Sequence, residues 1–141
     1  MKNLLLIDRH VRIVYLSPTV AGTVHDKKLA DASPYPLPDG SMLLQDLGFL
    51  AFTLDGVTTC TPHRKPRGGL LTAEQKAENR LLAACRVRIE HVNSSVKRCR
   101  ILKESMRLRR AGARDQVMEI GCSLHNFRVR LSPWLPMRQP R

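Results

Sequence analysis

The spacing of apolar residues along this 141-residue chain changes near its midpoint, from short runs bounded by turns to long helical stripes. NLLLID and VRIVYLS, rich in leucine and β-branched residues and separated by Arg9 and His10, predict an antiparallel hairpin with Asp8 at the turn. HDKKLADA follows, where Asp26 can cap the amino end of a short helix. SPYPLPDG, with three prolines in eight residues, ends that helix and cannot lie inside a sheet. SMLLQD predicts a short buried strand with Asp46 at its carboxyl end, LGFLAFTL leaves the sheet, and VTTCT is the next strand. PHRKPRGG is a basic, glycine-ended loop that reads equally as a track for a phosphate backbone or as a flexible connector.

From Thr72 the period lengthens. Thr72 with Gln75 makes a capping box, and Leu81, Cys85, Ile89, Val92 and Val96 recur at gaps of 4, 4, 3 and 4, one face of a long helix. That helix runs on or breaks near Arg100, and Gly112 marks the next stop. A second helix from about Arg114 places Val117, Ile120, Leu124, Phe127 and Leu131 at gaps of 3, 4, 3 and 4, a stripe expected to pack. The tail SPWLPMRQPR has three prolines and reads as irregular. Two strands, a helix, two more strands and then helices make an α/β layout, with no internal repeat.

Charge sharpens this picture. The chain carries 24 Lys and Arg against 12 Asp and Glu, a net +12, and its length suits one domain with its own core. Residues 1–63 hold five Lys or Arg and six Asp, whereas residues 64–141 hold nineteen Lys or Arg and six acids, so the halves carry about −1 and +13. The second half therefore faces polyanions, with nucleic acid the default partner and a solvated basic surface the plain alternative. The cysteines at 60, 85, 99 and 122 are too widely spaced for paired zinc knuckles and read as buried thiols in a reduced, cytoplasmic setting. The run LLLI is too short for a signal-peptide core, and no segment approaches membrane-spanning length.

Within RVRIEHVNSSVKRCRIL, residues 86–102, Glu90 is the one acid among five Lys or Arg and a histidine. Its plain reading is an ion pair with Arg86 one turn before it, worth about 0.3 to 0.5 kcal/mol. Asp46 offers another reading, because open α/β sheets build their sites at the carboxyl ends of strands, where the edge of a later helix can bring Glu90. Two such carboxylates call for a divalent cation, Mg²⁺ or Mn²⁺. Lys97, Arg98, Arg100 and Arg86 would hold the phosphates of DNA, positioning it without reading its sequence. His91 could touch a phosphate or be neutral filler, while His25 and His125 lack metal-ligand partners at suitable spacing.

Five segments, AGTVHDKKLAD, PLPDGSMLLQDLGF, LTAEQKAENR, RVRIEHVNSSVKRCRIL and VMEIGCSLHNFRVRL, resemble in order the carboxyl-terminal two-thirds of insertion-sequence transposases of the DDE superfamily, akin to the Harbinger-like endonucleases. The resemblance implies a ribonuclease H-like α/β fold that lacks its first, central strand, with a mixed sheet packed by long carboxyl-terminal helices. It implies a partial catalytic domain over 1–132 and an irregular tail over 133–141. It carries the second catalytic aspartate onto Asp46 and the glutamate onto Glu90, both as metal ligands for Mg²⁺ or Mn²⁺. The first aspartate of the family has no match here. Asp8 and Asp26 could be offered in its place, but Asp8 fits a hairpin turn and Asp26 a helix cap; Asp26 has the better claim through its HDKK context.

The expected function is thus the carboxyl-terminal portion of an enzyme that cuts and joins DNA at transposon ends and target by two-metal chemistry. Alone it should be inactive for want of the first aspartate. An upstream transposase segment or a homo-oligomer are the expected partners besides DNA, in a bacterial cytoplasm and at the nucleoid. The competing readings are a non-catalytic basic nucleic-acid-binding protein and a decayed transposase fragment.

Overall fold

The computed structural model describes residues 2–35, 37–49, 51–103 and 112–134. Its elements are β1 (Leu5–Ile7), β2 (Ile13–Leu16), α1 (Asp26–Asp31), β3 (Met42–Leu44), a 3-10 turn at Leu47–Phe49, β4 (Thr58–Cys60), α2 (Ala73–Val96), α3 (Arg100–Lys103) and α4 (Ala113–Leu131). They fall into two compact units. One gathers the residues up to Thr23 with those from Val87 onward; the other spans Val24–Arg86.

In the first unit β1 and β2 form the expected antiparallel hairpin, with Leu5 opposite Leu16, Leu6 opposite Tyr15 and Ile7 opposite Ile13 across a bulge. Asp8 builds the turn. Its Oδ1 accepts the amides of His10 and Arg12 at 2.9 and 3.0 Å, and its Oδ2 meets the Arg12 guanidinium. The turn drives Val11 to φ 59°, a left-handed conformation that costs a β-branched residue energy. Val11 is nevertheless fully buried, and its carbonyl accepts a 2.8 Å hydrogen bond from Nε2 of His125 on α4. Beside it, the Asn126 amide accepts from the Ile13 N–H at 2.8 Å and donates to the Ile13 carbonyl at 2.9 Å. These bonds satisfy the outer edge of β2 as a neighbouring strand would.

The core of this unit joins Val11 and Ile13 to Val92 and Val96 of α2 and Cys122 and Val129 of α4, with Leu5, Ile7, Leu16, Ile89, Leu102 and Trp134 around them. Trp134, in the expected irregular tail, thus belongs to the core periphery; residues 135–141 lie outside the described set. The packing face of α4 differs from the expected stripe. Gly121, Cys122, His125 and Val129 are buried, while Ile120, Leu124, Phe127 and Leu131 are exposed. Close approach decides this, because a Cβ at Gly121 would lie 2.4 Å from Leu102 Cδ1 and 3.3 Å from Val96 Cγ1. The small residue sets α4 down where only that face can sit, and His125 and Asn126 then reach the hairpin backbone.

In the second unit β3 and β4 pair in parallel, Met42 opposite Thr58 and Leu44 opposite Cys60. The mixed sheet expected from the resemblance is represented among the described residues by two separate two-stranded pairs. With one neighbour only, β3 is half-buried rather than buried, and Met42 is exposed. Helix α1 buries Leu29 and Ala30, and Tyr35 stacks edge-on against the buried Phe52 at 5.4 Å. Asp26 is the first helical residue instead of the cap, since His25 holds the cap position in extended conformation. There its charge still complements the positive helix end.

The capping box forms as the sequence indicates: the Thr72 amide donates to Gln75 Oε1 at 3.0 Å and the Gln75 amide to Thr72 Oγ1 at 3.2 Å. The apolar face of α2 is only partly used, with Val92 and Val96 buried but Leu81 exposed. The helix ends at Val96, and a turn at 97–99 leads into α3 at Arg100, so of the two courses the sequence left open there the chain takes the break. Gly112, at φ 73°, occupies the left-handed residue before α4.

Candidate metal and nucleic-acid site

Asp46 stands two residues beyond β3, at the carboxyl end where the strand pattern put it. Its carbonyl accepts the Phe49 amide at 3.0 Å and its Oδ1 the Leu47 amide at 2.8 Å, so the side chain is fixed by the 3-10 turn it starts. Arg86 of α2 donates to the same Oδ1 at 3.2 Å. With side chains 54% and 46% exposed, Arg86 and Asp46 form a surface ion pair worth well under 1 kcal/mol. Oδ2 of Asp46 takes no hydrogen bond among the described residues.

Glu90 is exposed on α2, one turn after Arg86. Arg86 also reaches Asp46, across forty residues of sequence. The half-exposed Asp46 carboxylate is a hard oxygen donor of the kind that hydrated magnesium takes. Among the described residues no group of three or more His, Cys, Asp and Glu side chains gathers to hold a metal.

Lys97 and Arg98 are exposed on the turn after α2 and Arg100 is exposed at the start of α3. Hydrogen bonds from the Arg98 amide to the Ser95 carbonyl and from the Cys99 amide to the Val96 carbonyl order that turn. Neither Lys97 nor Arg98 has a carboxylate partner among the described residues. The PHRKPRGG loop is anchored at one end: Asn79 of α2 accepts from the His63 amide at 2.8 Å and donates to its carbonyl at 3.0 Å, while the His63 ring meets Glu78. Arg64, Lys65 and Arg67 follow, all exposed.

The remaining candidates resolve individually. Asp8 is a turn residue, and Asp26 lies over the 3-10 turn, 3.4 Å from where a Cβ on Gly48 would stand. His25 is an exposed helix cap, and His91 is exposed with its ring edge-on to Trp134 at 6.0 Å. His125 is a buried clamp on the hairpin. The sequence reading missed the roles of Asn79, Asn126 and His125. Their signal was faint: an amide or imidazole within a helix, opposite a more apolar stripe.

The described elements make a mixed α/β scaffold. The chain belongs to the DDE superfamily endonuclease family, whose model matches residues 1–126. It is 31% identical over 112 residues to a protein of Microchaete diplosiphon described as a probable transposase for insertion sequence element IS702; the match covers 78% of this chain and 40% of that protein. The chain thus spans well under two-thirds of the curated relative's length. No solved structure matches. Among the described residues, no helix is long and apolar enough to cross a membrane.

Proposed function

We propose that this chain is the carboxyl-terminal portion of a DDE transposase, with a ribonuclease H-like fold lacking its central strand, in which Asp46 and Glu90 share a divalent-cation site that acts on DNA at transposon ends. The observation that supports the reading is the position of Asp46 just beyond the carboxyl end of β3, its Oδ1 fixed by the Leu47 amide and half its side chain open to water. Bound Mg²⁺ or Mn²⁺ would activate the attacking oxygen and stabilise the leaving one in phosphodiester cleavage. Asp46, held by the Leu47 amide, offers Oδ2 to the ion. Glu90 offers its carboxylate from the helix surface. Arg86, Lys97, Arg98 and Arg100 hold the phosphates. No residue from 1 to 141 matches the family's first aspartate, and two carboxylates hold a divalent ion less firmly than three. DNA and an upstream transposase segment are its partners, in the bacterial cytoplasm and at the nucleoid.

The Arg86–Asp46 pair also favours a second reading, a non-catalytic basic nucleic-acid-binding module whose strand-end acid is already neutralised. A metal titration separates the two. At ten times its dissociation constant, a bound ion stabilises the fold by about 1.4 kcal/mol. Millimolar Mn²⁺ should raise the unfolding midpoint of the wild type, and Asp46→Asn and Glu90→Gln should each abolish the rise. Equal responses in all three would remove the shared site and leave the binding module. Robust metal-dependent nicking by the 141-residue chain would show that two carboxylates suffice.

A further inference from the structure

The loop between β4 and α2 carries Arg64, Lys65 and Arg67 within four residues, all exposed. Its sequence reads equally as a flexible connector or as a phosphate track, and its two ends distinguish them. At the first end, Asn79 in the second turn of α2 accepts the His63 amide at 2.8 Å and donates to the His63 carbonyl at 3.0 Å. At the other, the Gly69 amide donates to the Pro66 carbonyl at 3.2 Å, closing a turn in which Gly68 takes φ 77°, and the capping box of Thr72 and Gln75 seats the start of α2. The backbone on both sides of the cations is thus held. The cations themselves have no carboxylate partner among the described residues, because the Glu78 carboxylate is engaged by the His63 ring.

Given DNA as the partner proposed above, we infer that residues 63–69 form a second phosphate-binding surface, separate in sequence from Lys97, Arg98 and Arg100, which grips the backbone of duplex DNA, and that Asn79 is its positioning residue. From Arg64 to Arg67 the chain spans about 10 Å when extended. One strand of DNA presents a charge about every 3.4 Å along the helix axis, so the three cations match two or three successive phosphates. The loop has no Phe, Tyr or Trp on which an unpaired base could stack, and its cations position a duplex without reading its sequence. Asn79 adds no charge; by holding His63 it orders the loop before DNA arrives, so less freedom is lost on contact. A membrane surface would use Leu70 instead, 78% exposed just past the loop, but that is one apolar side chain against three cations.

Fluorescence anisotropy of a short labelled DNA duplex of arbitrary sequence, titrated with the full 141-residue chain over a range of salt, tests the surface. Arg64→Gln, Lys65→Gln and Arg67→Gln together should weaken binding and reduce the slope of the logarithm of the association constant on the logarithm of salt by about 2 to 3, at about 0.9 per phosphate. Asn79→Ala removes no charge, so it should keep the slope while weakening binding by about threefold to tenfold, the cost of ordering the loop on contact. The triple variant changes only exposed loop side chains and keeps the surface testable should Asn79→Ala perturb α2. A triple variant with the wild-type slope, where Lys97→Ala with Arg98→Ala still lowers it, would overturn the loop surface and leave DNA as the partner. A wild type that ignores the duplex at low salt would overturn both. An Asn79→Ala chain that binds as the wild type does would overturn the positioning role, and loss of duplex binding to phosphatidylglycerol vesicles, reversed by Leu70→Ser, would assign the loop to a membrane instead.

Discussion

Removing the Asn126 amide tests whether α4 supports the hairpin by hydrogen bonds or by apolar contact alone. Asn126 makes two bonds to one residue, 2.8 Å from the Ile13 N–H and 2.9 Å to its carbonyl, and Ile13 is 8% exposed. Asn126→Ala leaves a buried donor and acceptor without partners, which costs about 1–3 kcal/mol in total, because Asn126 is half-exposed and water can serve part of the gap. Against a domain stability of about 5–15 kcal/mol this is a large share. Urea unfolding followed by fluorescence reads it directly, since Trp134 is the single tryptophan of the chain and lies edge-on to His125 at 6.2 Å. With a slope of about 1–3 kcal/mol per molar urea, the midpoint should fall by about 1 M. Asn126→Asp adds a control of sign. Its carboxylate still accepts from Ile13 N–H but faces the Ile13 carbonyl with no proton to donate, which raises its folded pKa. The variant should therefore lose stability at neutral pH and regain it as the pH falls and the carboxyl acquires a proton. An alanine variant within about 0.5 kcal/mol of wild type, or an aspartate variant with an unchanged pH profile, would refute the clamp.

Burial, reinforced by the charge of Glu119, pushes the Cys122 thiol up to about 11, so it stays protonated at neutral pH. A thiol reagent at pH 8 should modify Cys60, Cys85 and Cys99 promptly and Cys122 only on unfolding; fast titration of all four would contradict this. Burial raises the Asp8 carboxyl, but hydrogen bonds from the Arg12 backbone and side chain and the His10 amide, with the Arg12 charge, hold it below its ordinary 3.8. The depressed value means that its stabilisation is present above about pH 4 and lost below it, so Asp8→Asn should flatten the acid limb of a stability curve. The logarithm of the DNA association constant should fall linearly with the logarithm of salt concentration. Lys97→Ala with Arg98→Ala should reduce that slope by about 2 while leaving stability unchanged, and an unaltered slope would remove those residues from the interface.

Local chemistry announced much of this molecule. The hairpin, the Asp8 turn, the capping box on α2 and the short strand just before Asp46 each follow from residues adjacent in sequence, where propensity and turn chemistry act. The packing face of α4 did not, because hydrophobicity ranks Ile120, Leu124 and Phe127 above Gly121, Cys122 and His125. What decides the face is a close approach at Gly121 and hydrogen bonds to residues more than a hundred positions away. The exposed half of the α2 stripe failed for a related reason: a periodic pattern shows which residues share a face, not what covers it. Asp46 was legible as a strand-end carboxylate, but its partner Arg86, forty residues on, was not legible as such.

The central claim is that Asp46 and Glu90 hold one ion, and localised radical cleavage tests it most directly. Ferrous iron in place of Mg²⁺, with ascorbate and peroxide, cuts the backbone beside its own ligands. The account predicts paired scission near residues 46 and 90, both suppressed by excess Mg²⁺ and both lost in either Asp46→Asn or Glu90→Gln. Scission at one position without the other, or pairs unaffected by the opposite substitution, would contradict it.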